Sequence, residues 1–436
     1  MPIAVANPPS TTAPGADPGP RGARLRIALI GPFDGPSLSS QCGFPAGSLP
    51  PGYPGAPVTS ALARGLVDRG HTVAAITTDY VLPPDALEPF RVFREGALTA
   101  YFCPQRTRAF RPSHGRVGRA LDLFAYEREC LIAALHEFRP DVVHAHWTYE
   151  FAWAALDSPY PALTTAHDSP ARVLRFIPNA YRAARYLMAR RVIPRCRHLT
   201  AVSPNLAEDI RKLARAPVQV IANPIPADVM SASGCATDAF GAGRLLMVQN
   251  GWMALKNGAA ALRGFAIARR ARPALTLSCF GKDWEEGSPA HRWARRRGLD
   301  AGVAFRGSVP HARVLAEMAQ GTAMIHPSRW ESCCMAIAEA MSLGLPVVAG
   351  RDAGGVAWQL DRGRAGILVD VTDPRDIARG IFAATGELSA WQAISSAARR
   401  RAREIFSIER VIDEYLALYE SVRRDAREAV PVRQAG

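Results

Sequence analysis

Two acidic residues lie eight positions apart in an apolar segment, Pro327 to Gly355, whose sequence is PSRWESCCMAIAEAMSLGLPVVAGRDAGG. The small and apolar residues between Cys333 and Leu343 predict a buried helix, with Glu331 at its start and Glu339 on one face. Eight helical residues separate two backbones by about 12 Å along the axis and about 80° around it. Two carboxylates that flank one glycosidic bond lie roughly 5–9.5 Å apart. The spacing therefore favours two contacts on one extended ligand over an acid–base pair.

The start of the same helix is a candidate anion site, because unpaired amides at a helix N-terminus favour negative charge. The candidates for contact with a diphosphate are Ser332, Cys333, Cys334 and Met335, followed by Gly354 and Gly355 after the next strand. The segment thus fits a nucleoside diphosphate sugar, with Glu331 toward the sugar and Glu339 toward the ribose. On spacing alone, the plainer interpretation is that Glu331 caps the helix and Glu339 is an ordinary acid on its face.

The segment resembles the PSxxE(x7)EAMAxGxPV signature of family 4 retaining glycosyltransferases, which have the GT-B fold. The matching residues are Pro327, Ser328, Glu331, Glu339, Ala340, Met341, Gly344, Pro346 and Val347. In that family the first acid lies by the donor sugar and the second binds the ribose hydroxyls, which implies these roles for Glu331 and Glu339. The resemblance extends weakly from about Arg24 to Tyr419. The family often has a further acid where this chain has Trp358, so no third acid is expected.

A lysine in NGWMALKN, Lys256, resembles the family's loop that holds an Arg and then a Lys against the donor diphosphate. The Lys matches, whereas Gly251 stands at the Arg position. The chain has only three Lys among its 53 basic residues, so a Lys here stands out. A compact ammonium suits close approach to a leaving phosphate. The alternative is a solvated surface lysine.

The resemblance also implies contacts from other loops. A Gly-rich loop before the first long helix makes Gly52 and Gly55 candidates, although a simple turn explains them equally well. The family often has a histidine at a strand end facing the donor sugar, which suggests His167, oriented by Asp168; a structural histidine remains an equal alternative. The segment that usually touches the nucleobase contains Arg306 and Gly307. His144 and His146 are expected to be structural, since two histidines without a third ligand are weak evidence for metal.

The elements that position these residues alternate short apolar runs with amphipathic stretches, which predicts parallel sheets with crossover helices. Such sheets bind ligands at the carboxyl ends of their strands. The first strand series runs from 24–31 to 199–203 and the second from 244–249 to 366–369. We therefore predict an α/β GT-B fold: two doubly wound Rossmann-like domains facing a central cleft. The predicted parts are a disordered arm, 1–23, an acceptor-side domain, 24–225, a nucleotide-sugar domain, 226–405, and a terminal helix, 406–436, that packs back on the first domain.

The net charge is +14 and the pI about 9.9, which suggests an anionic partner. Eight Arg lie between Arg172 and Arg197, interleaved with aromatic residues, and no acid occurs between Asp168 and Glu208. We expect a solvated helix face, or a surface that binds anionic lipid or a phosphate-bearing acceptor. None of the eight cysteines has CxxC spacing, and no secretory signal or membrane-crossing run is evident, so a cytoplasmic location is expected.

The expected reaction transfers a hexose-like sugar from a nucleoside diphosphate to a saccharide or lipid-linked acceptor. The resemblance implies retention of configuration, no catalytic metal and no cofactor beyond the nucleotide sugar as co-substrate. A sugar-nucleotide epimerase on the same fold is one alternative, and a degenerate binding module is another. The high pI leaves a nucleic-acid-binding protein as a third, although no zinc finger or RNA-binding signature is present, so we expect no nucleic acid partner.

Overall fold

The computed structural model describes residues 24–53, 57–83, 88–113, 115–232, 234–235 and 237–428. The predicted arm, 1–23, and Gly55 lie outside the described residues.

Eight strands form the first sheet, and seven helices accompany them. The strands are β1 (Arg26–Ile30), β2 (Thr72–Asp79), β3 (Arg91–Glu95), β4 (Leu98–Pro104), β5 (Val142–His146), β6 (Ala162–Ala166), β7 (Leu199–Ala201) and β8 (Val218–Val220). The helices are α1 (Gly35–Cys42), α2 (Pro57–Asp68), α3 (Ala125–Phe138), α4 (Glu150–Asp157), α5 (Pro170–Phe176), α6 (Ala180–Val192) and α7 (Pro204–Arg211), with a 3-10 turn at Ile193–Arg195. The strand order is β3-β4-β2-β1-β5-β6-β7-β8.

Six strands form the second sheet. They are β9 (Arg244–Val248), β10 (Thr276–Phe280), β11 (Val303–Gly307), β12 (Ala323–His326), β13 (Val347–Gly350) and β14 (Ile367–Val369), in the order β11-β10-β9-β12-β13-β14. The helices of this half are α8 (Ala227–Ser231), α9 (Gly258–Ala271), α10 (Pro289–Arg295), α11 (His311–Ala319), α12 (Met335–Ser342), α13 (Val356–Gln359), α14 (Pro374–Ala384), α15 (Leu388–Phe406) and α16 (Ile408–Glu428). Short 3-10 turns lie at Thr237–Ala242 and Asp361–Gly363.

The two Rossmann-like sheets confirm the predicted fold class. Every pair in the second sheet is parallel, and so is every pair in the first except β3 with β4. The sequence pattern did not identify β3 and β4. Their turn contains Gly96, and β3 lies at the edge of the sheet with no buried residue, so it lacks the apolar run that marks the central strands. The three-residue β8 was missed for the same reason.

Helix α16 packs on the first sheet rather than on the second. Its apolar face belongs to the same buried cluster as α2 and β1, and Ile412 lies so close to Gly65 that a Cβ there would collide with it. The hydroxyl of Tyr419 lies 2.8 Å from Nδ1 of His144, at the middle of the first sheet. The last helix of the described chain therefore links the end of the second half to the core of the first.

Within the described residues, no helix combines the length and the apolar character that crossing a membrane requires.

Candidate active site

The predicted site residues of the second sheet converge on loops at the carboxyl ends of three adjacent strands. Lys256 follows β9, Glu331 follows β12, and Gly354 follows β13. These ends share one edge of a parallel sheet, which is where such folds bind ligands. The loops are tied together by Asn257, whose side-chain amide donates to the carbonyl oxygens of Pro327 (3.1 Å) and Val371 (2.7 Å).

Lys256 and Glu331 form an ion pair. The ammonium donates to Oε1 of Glu331 over 2.6 Å, and both side chains are largely buried. Burial works to lower the pKa of Lys256, but the adjacent carboxylate raises it above its ordinary value. Burial likewise opposes ionisation of Glu331, yet its contacts with His326 and Lys256 lower its pKa to about 2. Both groups are therefore charged at neutral pH.

His326 is a site residue that the sequence analysis missed. It is the last residue of β12, and its Nε2 lies 3.3 Å from Oε1 of Glu331 and 3.5 Å from Sγ of Cys334. Burial opposes its protonation, but Cys334 and Glu331 raise its pKa to about 9. Its place at the carboxyl end of a strand, directly before the Pro327–Ser328 pair, was the available signal.

The helix of the central segment starts later than predicted, which corrects the placement of Glu331. Helix α12 begins at Met335, with Cys334 in an extended conformation before it. Glu331 instead pairs with Gly354 as an isolated β-bridge, and its N–H and carbonyl bond Ala353 and Gly355. The distance estimated for one continuous helix therefore does not apply to the two acids, and Glu331 does not cap α12.

The backbone at the start of α12 is also less open than predicted. The N–H of Cys334 donates to Oε1 of Gln359 over 2.9 Å, so this amide is not free for an anion. The carbonyl of Ser332 lies where a Cβ on Gly355 would collide with it. Cys333 is half-buried and packs toward the first domain, and burial raises its pKa to about 12. Met335 is half-buried at the first turn, where no side chain caps the helix.

Glu339 lies within α12 and is mostly buried. Its Oε1 is 2.9 Å from Nε2 of His311, the first residue of α11, and this contact raises the pKa of His311. No local sequence pattern links His311 to Glu339, because 28 residues separate them. Glu339 is thus a carboxylate held by a neighbouring helix rather than a free acid on a helix face.

The glycines after β13 are required by close backbone contacts. Gly354 has a φ of +66°, and a Cβ there would lie 2.9 Å from Nε1 of Trp330. Gly355 bonds the Glu331 carbonyl and also faces Ser203 of the first domain. Trp330 belongs to the buried core cluster of the first domain. Glu331 therefore lies where the two domains meet.

Gly251 lies on the loop after β9, and Arg306 and Gly307 are the last two residues of β11. The N–H of Gly251 donates to the carbonyl of Lys282, and the N–H of Gly281 donates to the carbonyl of Gly307. The turn after β10 therefore joins these two parts of the site. Gly251 and Gly307 have φ values of +92° and +67°, which favour glycine. Arg306 is exposed. Trp358, which stands where the family often has a further acid, packs on Phe406.

Gly52 is tied to structure on the first domain. It forms a bridge with Asp34, its N–H donates to the carboxylate of Asp79, and its φ is +69°. A Cβ would collide with the carbonyl of Phe33. The glycine is therefore needed for the turn itself, whatever ligand the loop approaches.

His167 lies at the end of β6, with Nε2 2.9 Å from Nδ1 of His146. Burial lowers the pKa of His167 to about 4, so its imidazole is neutral at pH 7. The carboxylate of Asp168 accepts a hydrogen bond from Tyr149 over 2.9 Å, and the orienting role expected of it stays a prediction. His146 supports His167, and His144 bonds Thr165 and the last helix.

A cavity of about 500 Å³ opens on the first domain and is lined in part by Asp168, the residue after His167. Its lining includes Tyr53, Tyr80, Trp147, Asp168, Tyr181 and Arg182. Arg119 also lines it, and the Nε of this buried arginine has no hydrogen-bond partner among the described residues. Trp147 has a φ of +70°, an unusual conformation for a bulky residue. The cavity combines aromatic walls with an excess of guanidinium groups.

The basic stretch from Arg172 to Arg197 is partly neutralised by acids from elsewhere. The buried Arg185 donates to both oxygens of Glu150, at 3.1 and 2.8 Å. Two further arginines form ion pairs with acids outside the stretch: Arg172 with Asp209, and Arg195 with Asp157. The stretch is therefore less cationic in the fold than in the sequence, although Arg175, Arg190, Arg191 and Arg197 are exposed.

Two family models match consecutive parts of the chain. The model of Glycosyltransferase Family 4 matches residues 56–229, and that of Glycosyl transferases group 1 matches residues 242–385. D-inositol 3-phosphate glycosyltransferases from Nocardioides sp. and Geodermatophilus obscurus are each 36% identical, over 112 and 127 residues. These matches cover 26% and 28% of this chain, and the chain spans only about a quarter of the length of these relatives, 24% and 27%.

Solved structures match over nearly the whole chain. Sucrose-phosphate synthase from Thermosynechococcus elongatus has a TM-score of 0.69 at 15% identity, covering 92% of this chain and 100% of that one. HepE from Anabaena, in complex with UDP and glucose, has a TM-score of 0.64 at 17% identity with the same coverage. Trehalose 6-phosphate synthase from Burkholderia multivorans has a TM-score of 0.64 at 14% identity, covering 93% and 100%. These likenesses show the fold, and the family models add the family. The chain belongs to the family 4-like glycosyltransferases with the GT-B fold.

Proposed function

We propose that the chain is a retaining hexosyltransferase that moves a hexose-like sugar from a nucleoside diphosphate to an acceptor hydroxyl. The observation that carries this proposal is the Lys256–Glu331 ion pair, which lies at the carboxyl ends of β9 and β12 where the two domains meet. The structures of Anabaena HepE with UDP and glucose support the choice of a nucleotide sugar, because they share this fold.

The donor diphosphate lies against Lys256 in this proposal, with Arg306 and Gly307 toward the base and Gly251 toward the phosphates. As the bond between the anomeric carbon and the phosphate oxygen breaks, negative charge develops on the leaving diphosphate. Lys256 stabilises that charge electrostatically. Glu331 orients the ammonium and contacts the sugar, while Glu339 binds the ribose hydroxyls. Gly354 and Gly355 allow the backbone to approach the donor closely.

The acceptor hydroxyl forms the new bond to the anomeric carbon, and its proton passes to the leaving phosphate. We assign no protein side chain as general base. His167 contacts the donor sugar as a neutral imidazole, since burial lowers its pKa to about 4. The nucleotide sugar is a co-substrate, and the proposed reaction invokes no resident cofactor.

The acceptor binds in the cavity that is lined in part by Asp168. Its aromatic walls, Tyr53, Tyr80 and Trp147, suit the apolar faces of a saccharide, and a few convergent polar groups orient such a ligand. Arg119 and Arg182 favour an acceptor that carries negative charge, such as a phosphorylated saccharide or a lipid-linked one. We place the enzyme in the synthesis of cell-surface polysaccharide or glycolipid, in the cytoplasm.

Attachment to the inner membrane face through exposed arginines of the 172–197 stretch is part of the same proposal. Co-sedimentation with liposomes, with and without anionic lipid, tests it. We expect binding only to the anionic vesicles, with loss in high salt. Equal binding to both kinds of vesicle would contradict electrostatic attachment through these arginines.

The decisive experiment on function has two stages. A thermal-shift screen against common nucleotide sugars selects the donor, since a ligand that binds the native state raises its melting temperature. The selected donor is then incubated with candidate saccharide and lipid-linked acceptors, and the anomeric configuration of the product is read by NMR. A retained linkage supports the proposal. Epimerised donor with no transfer to any acceptor would instead support the epimerase alternative.

A further inference from the structure

Three different metal-binding side chains meet at the proposed donor site, and one of them is Glu331 of the ion pair. The ligand atoms of His326, Glu331 and Cys334 all lie within 4.8 Å of one another. Nε2 of His326 is 3.3 Å from Oε1 of Glu331 and 3.5 Å from Sγ of Cys334. One nitrogen, one oxygen and one sulfur therefore lie together at the end of β12.

The two separations from Nε2 of His326 agree with the edges of a zinc tetrahedron. Zn²⁺ binds imidazole nitrogen and carboxylate oxygen at about 2.0–2.2 Å and thiolate sulfur at about 2.3 Å. In a tetrahedron with such bonds, the nitrogen and oxygen lie about 3.3 Å apart, and the nitrogen and sulfur about 3.6 Å apart. The mixed set with a thiolate selects a borderline-soft cation over Mg²⁺ or Ca²⁺, which prefer oxygen ligands.

The geometry points to a site for Zn²⁺ or a similar thiophilic divalent cation at His326, Glu331 and Cys334, whose occupation inhibits sugar transfer. The inhibitory part rests on the proposed function, whereas the binding part does not. Because the metal takes Oε1 of Glu331, it displaces the Lys256 ammonium from a contact of 2.6 Å. The ammonium then loses its orienting partner and is repelled by the bound cation.

Metal binding here is a simple ligand exchange with no redox step. Three bonds form to the cation, from imidazole nitrogen, carboxylate oxygen and thiolate sulfur, and water leaves the metal. The thiol proton, and any proton on the imidazole, passes to solvent. The fourth position takes a water or a phosphate oxygen of the donor. The side chains of Glu331 and Lys256 keep 17% and 24% of their surface exposed, so the site is reachable from solvent.

A neighbouring pair of cysteines provides a matched control. Cys334 belongs to the cluster, and its N–H is fixed by Gln359. The adjacent Cys333 packs toward the first domain and is not part of the cluster. The variants Cys334→Ser and Cys333→Ser make the same chemical change one residue apart, so they separate the site from a general loss of a thiol.

The test is titration of the metal-free, purified chain with Co²⁺, followed by displacement with Zn²⁺. We expect one equivalent to give a thiolate-to-metal charge-transfer band and the visible bands of tetrahedral Co²⁺. Cys334→Ser should lose the charge-transfer band, and Cys333→Ser should keep it. A wild-type chain without the band, or a band that persists in Cys334→Ser, overturns the site. Melting temperatures confirm that each variant is folded, and His326→Gln provides a second variant that should also lose the metal.

Inhibition is measured separately, as the Zn²⁺ concentration that halves transfer relative to each variant's own metal-free rate. We expect this concentration to rise at least about tenfold in Cys334→Ser, which corresponds to the loss of about 1.4 kcal/mol of binding. An unchanged value overturns the inhibitory role. A chain that binds Co²⁺ as expected but transfers no sugar would refute the proposed function and leave the metal site standing.

Discussion

The ammonium of Lys256 lies 2.6 Å from Oε1 of Glu331 and joins the loop after β9 to the loop after β12. The pKa of the lysine is raised, and that of the glutamate is lowered to about 2, so each partner keeps the other charged. A fixed cation at the carboxyl ends of parallel strands is suited to stabilise charge that develops on a departing phosphate. In the proposed reaction, Lys256 therefore stabilises the leaving phosphate, and Glu331 orients the ammonium and contacts the sugar.

Replacing Lys256 with Ala should lower kcat by on the order of 10²–10³, which is typical of removing one preorganised donor to a developing negative charge. Glu331 keeps its contact with His326, so the melting temperature should change by only a few degrees. Steady-state kinetics and thermal unfolding measure the two effects. Lys282→Ala removes an exposed lysine and should leave both unchanged. Near-normal turnover in Lys256→Ala would exclude the catalytic role.

Replacing Glu339 with Gln should weaken donor binding more than it slows transfer. We expect the donor KM to rise about tenfold, because a hydrogen bond to a charged group contributes about 1.5–3 kcal/mol. A donor that lacks one ribose hydroxyl is the sharper measurement. The wild type should discriminate against it, and Glu339→Gln should not. Glu317→Gln changes an acid on the adjacent helix α11 and should keep the discrimination. If Glu339→Gln weakened the binding of both donors by the same factor, this result would contradict a contact between Glu339 and the ribose.

The parts of the fold set by buried apolar runs were predictable from the sequence. The strands β1, β2, β5, β6 and β7 and all six strands of the second sheet coincide with predicted runs. Most of them are central parallel strands, which are buried on both faces. The edge strand β3 was missed because it has no such run, whereas β4 is buried over most of its length and was overlooked. The sequence also placed Lys256 and Gly354 on loops after strands, and the fold brings these loops together at one edge of the second sheet.

The rest of the site depends on tertiary contacts that local patterns do not contain. The stretch from Glu331 to Cys334 was predicted to start the helix, but its backbone is hydrogen-bonded by Ala353, Gly355 and Gln359, so the helix starts only at Met335. His311 reaches Glu339 from a different helix, and Tyr149 donates to Asp168 from 19 residues away. The arginines of the basic stretch find acids outside it for the same reason.

A methyl group at Gly355 should damage the site through the backbone rather than through lost chemistry. Its Cβ would collide with the carbonyl of Ser332 and press on Ser203, so the Glu331 loop must move. We expect Gly355→Ala to cost about 1–3 kcal/mol of folding free energy, as overpacking of a tight contact usually does, and to reduce transfer strongly. Gly241 has no atom within 4 Å of its Cβ position and no positive φ, so Gly241→Ala is the control. Unchanged stability in Gly355→Ala would show that the loop is not held there.

The histidines of the first domain should make the fold sensitive to mild acid. Burial lowers the pKa of His167 to about 4, and it lowers those of His144 and His146 well below their ordinary value of 6.5. Above pH 6.5 both the folded and unfolded states hold these imidazoles neutral, and no stability is lost. Below it, the unfolded chain takes up protons that the folded chain does not, so the free energy of unfolding falls. Each histidine contributes a slope of up to about 1.4 kcal/mol per pH unit.

For His167 this loss ends near pH 4, where the folded state also becomes protonated. Urea unfolding between about pH 4.5 and 7 measures the slope. His167→Asn removes one titrating group and should flatten it, whereas His136→Asn, at an exposed position, should leave it unchanged. If the wild type and His167→Asn lost stability in parallel as the pH fell, the buried imidazole would not be the group that titrates. A flattened slope would place His167 in the fold as a neutral ring, consistent with a contact to the sugar and not with proton transfer.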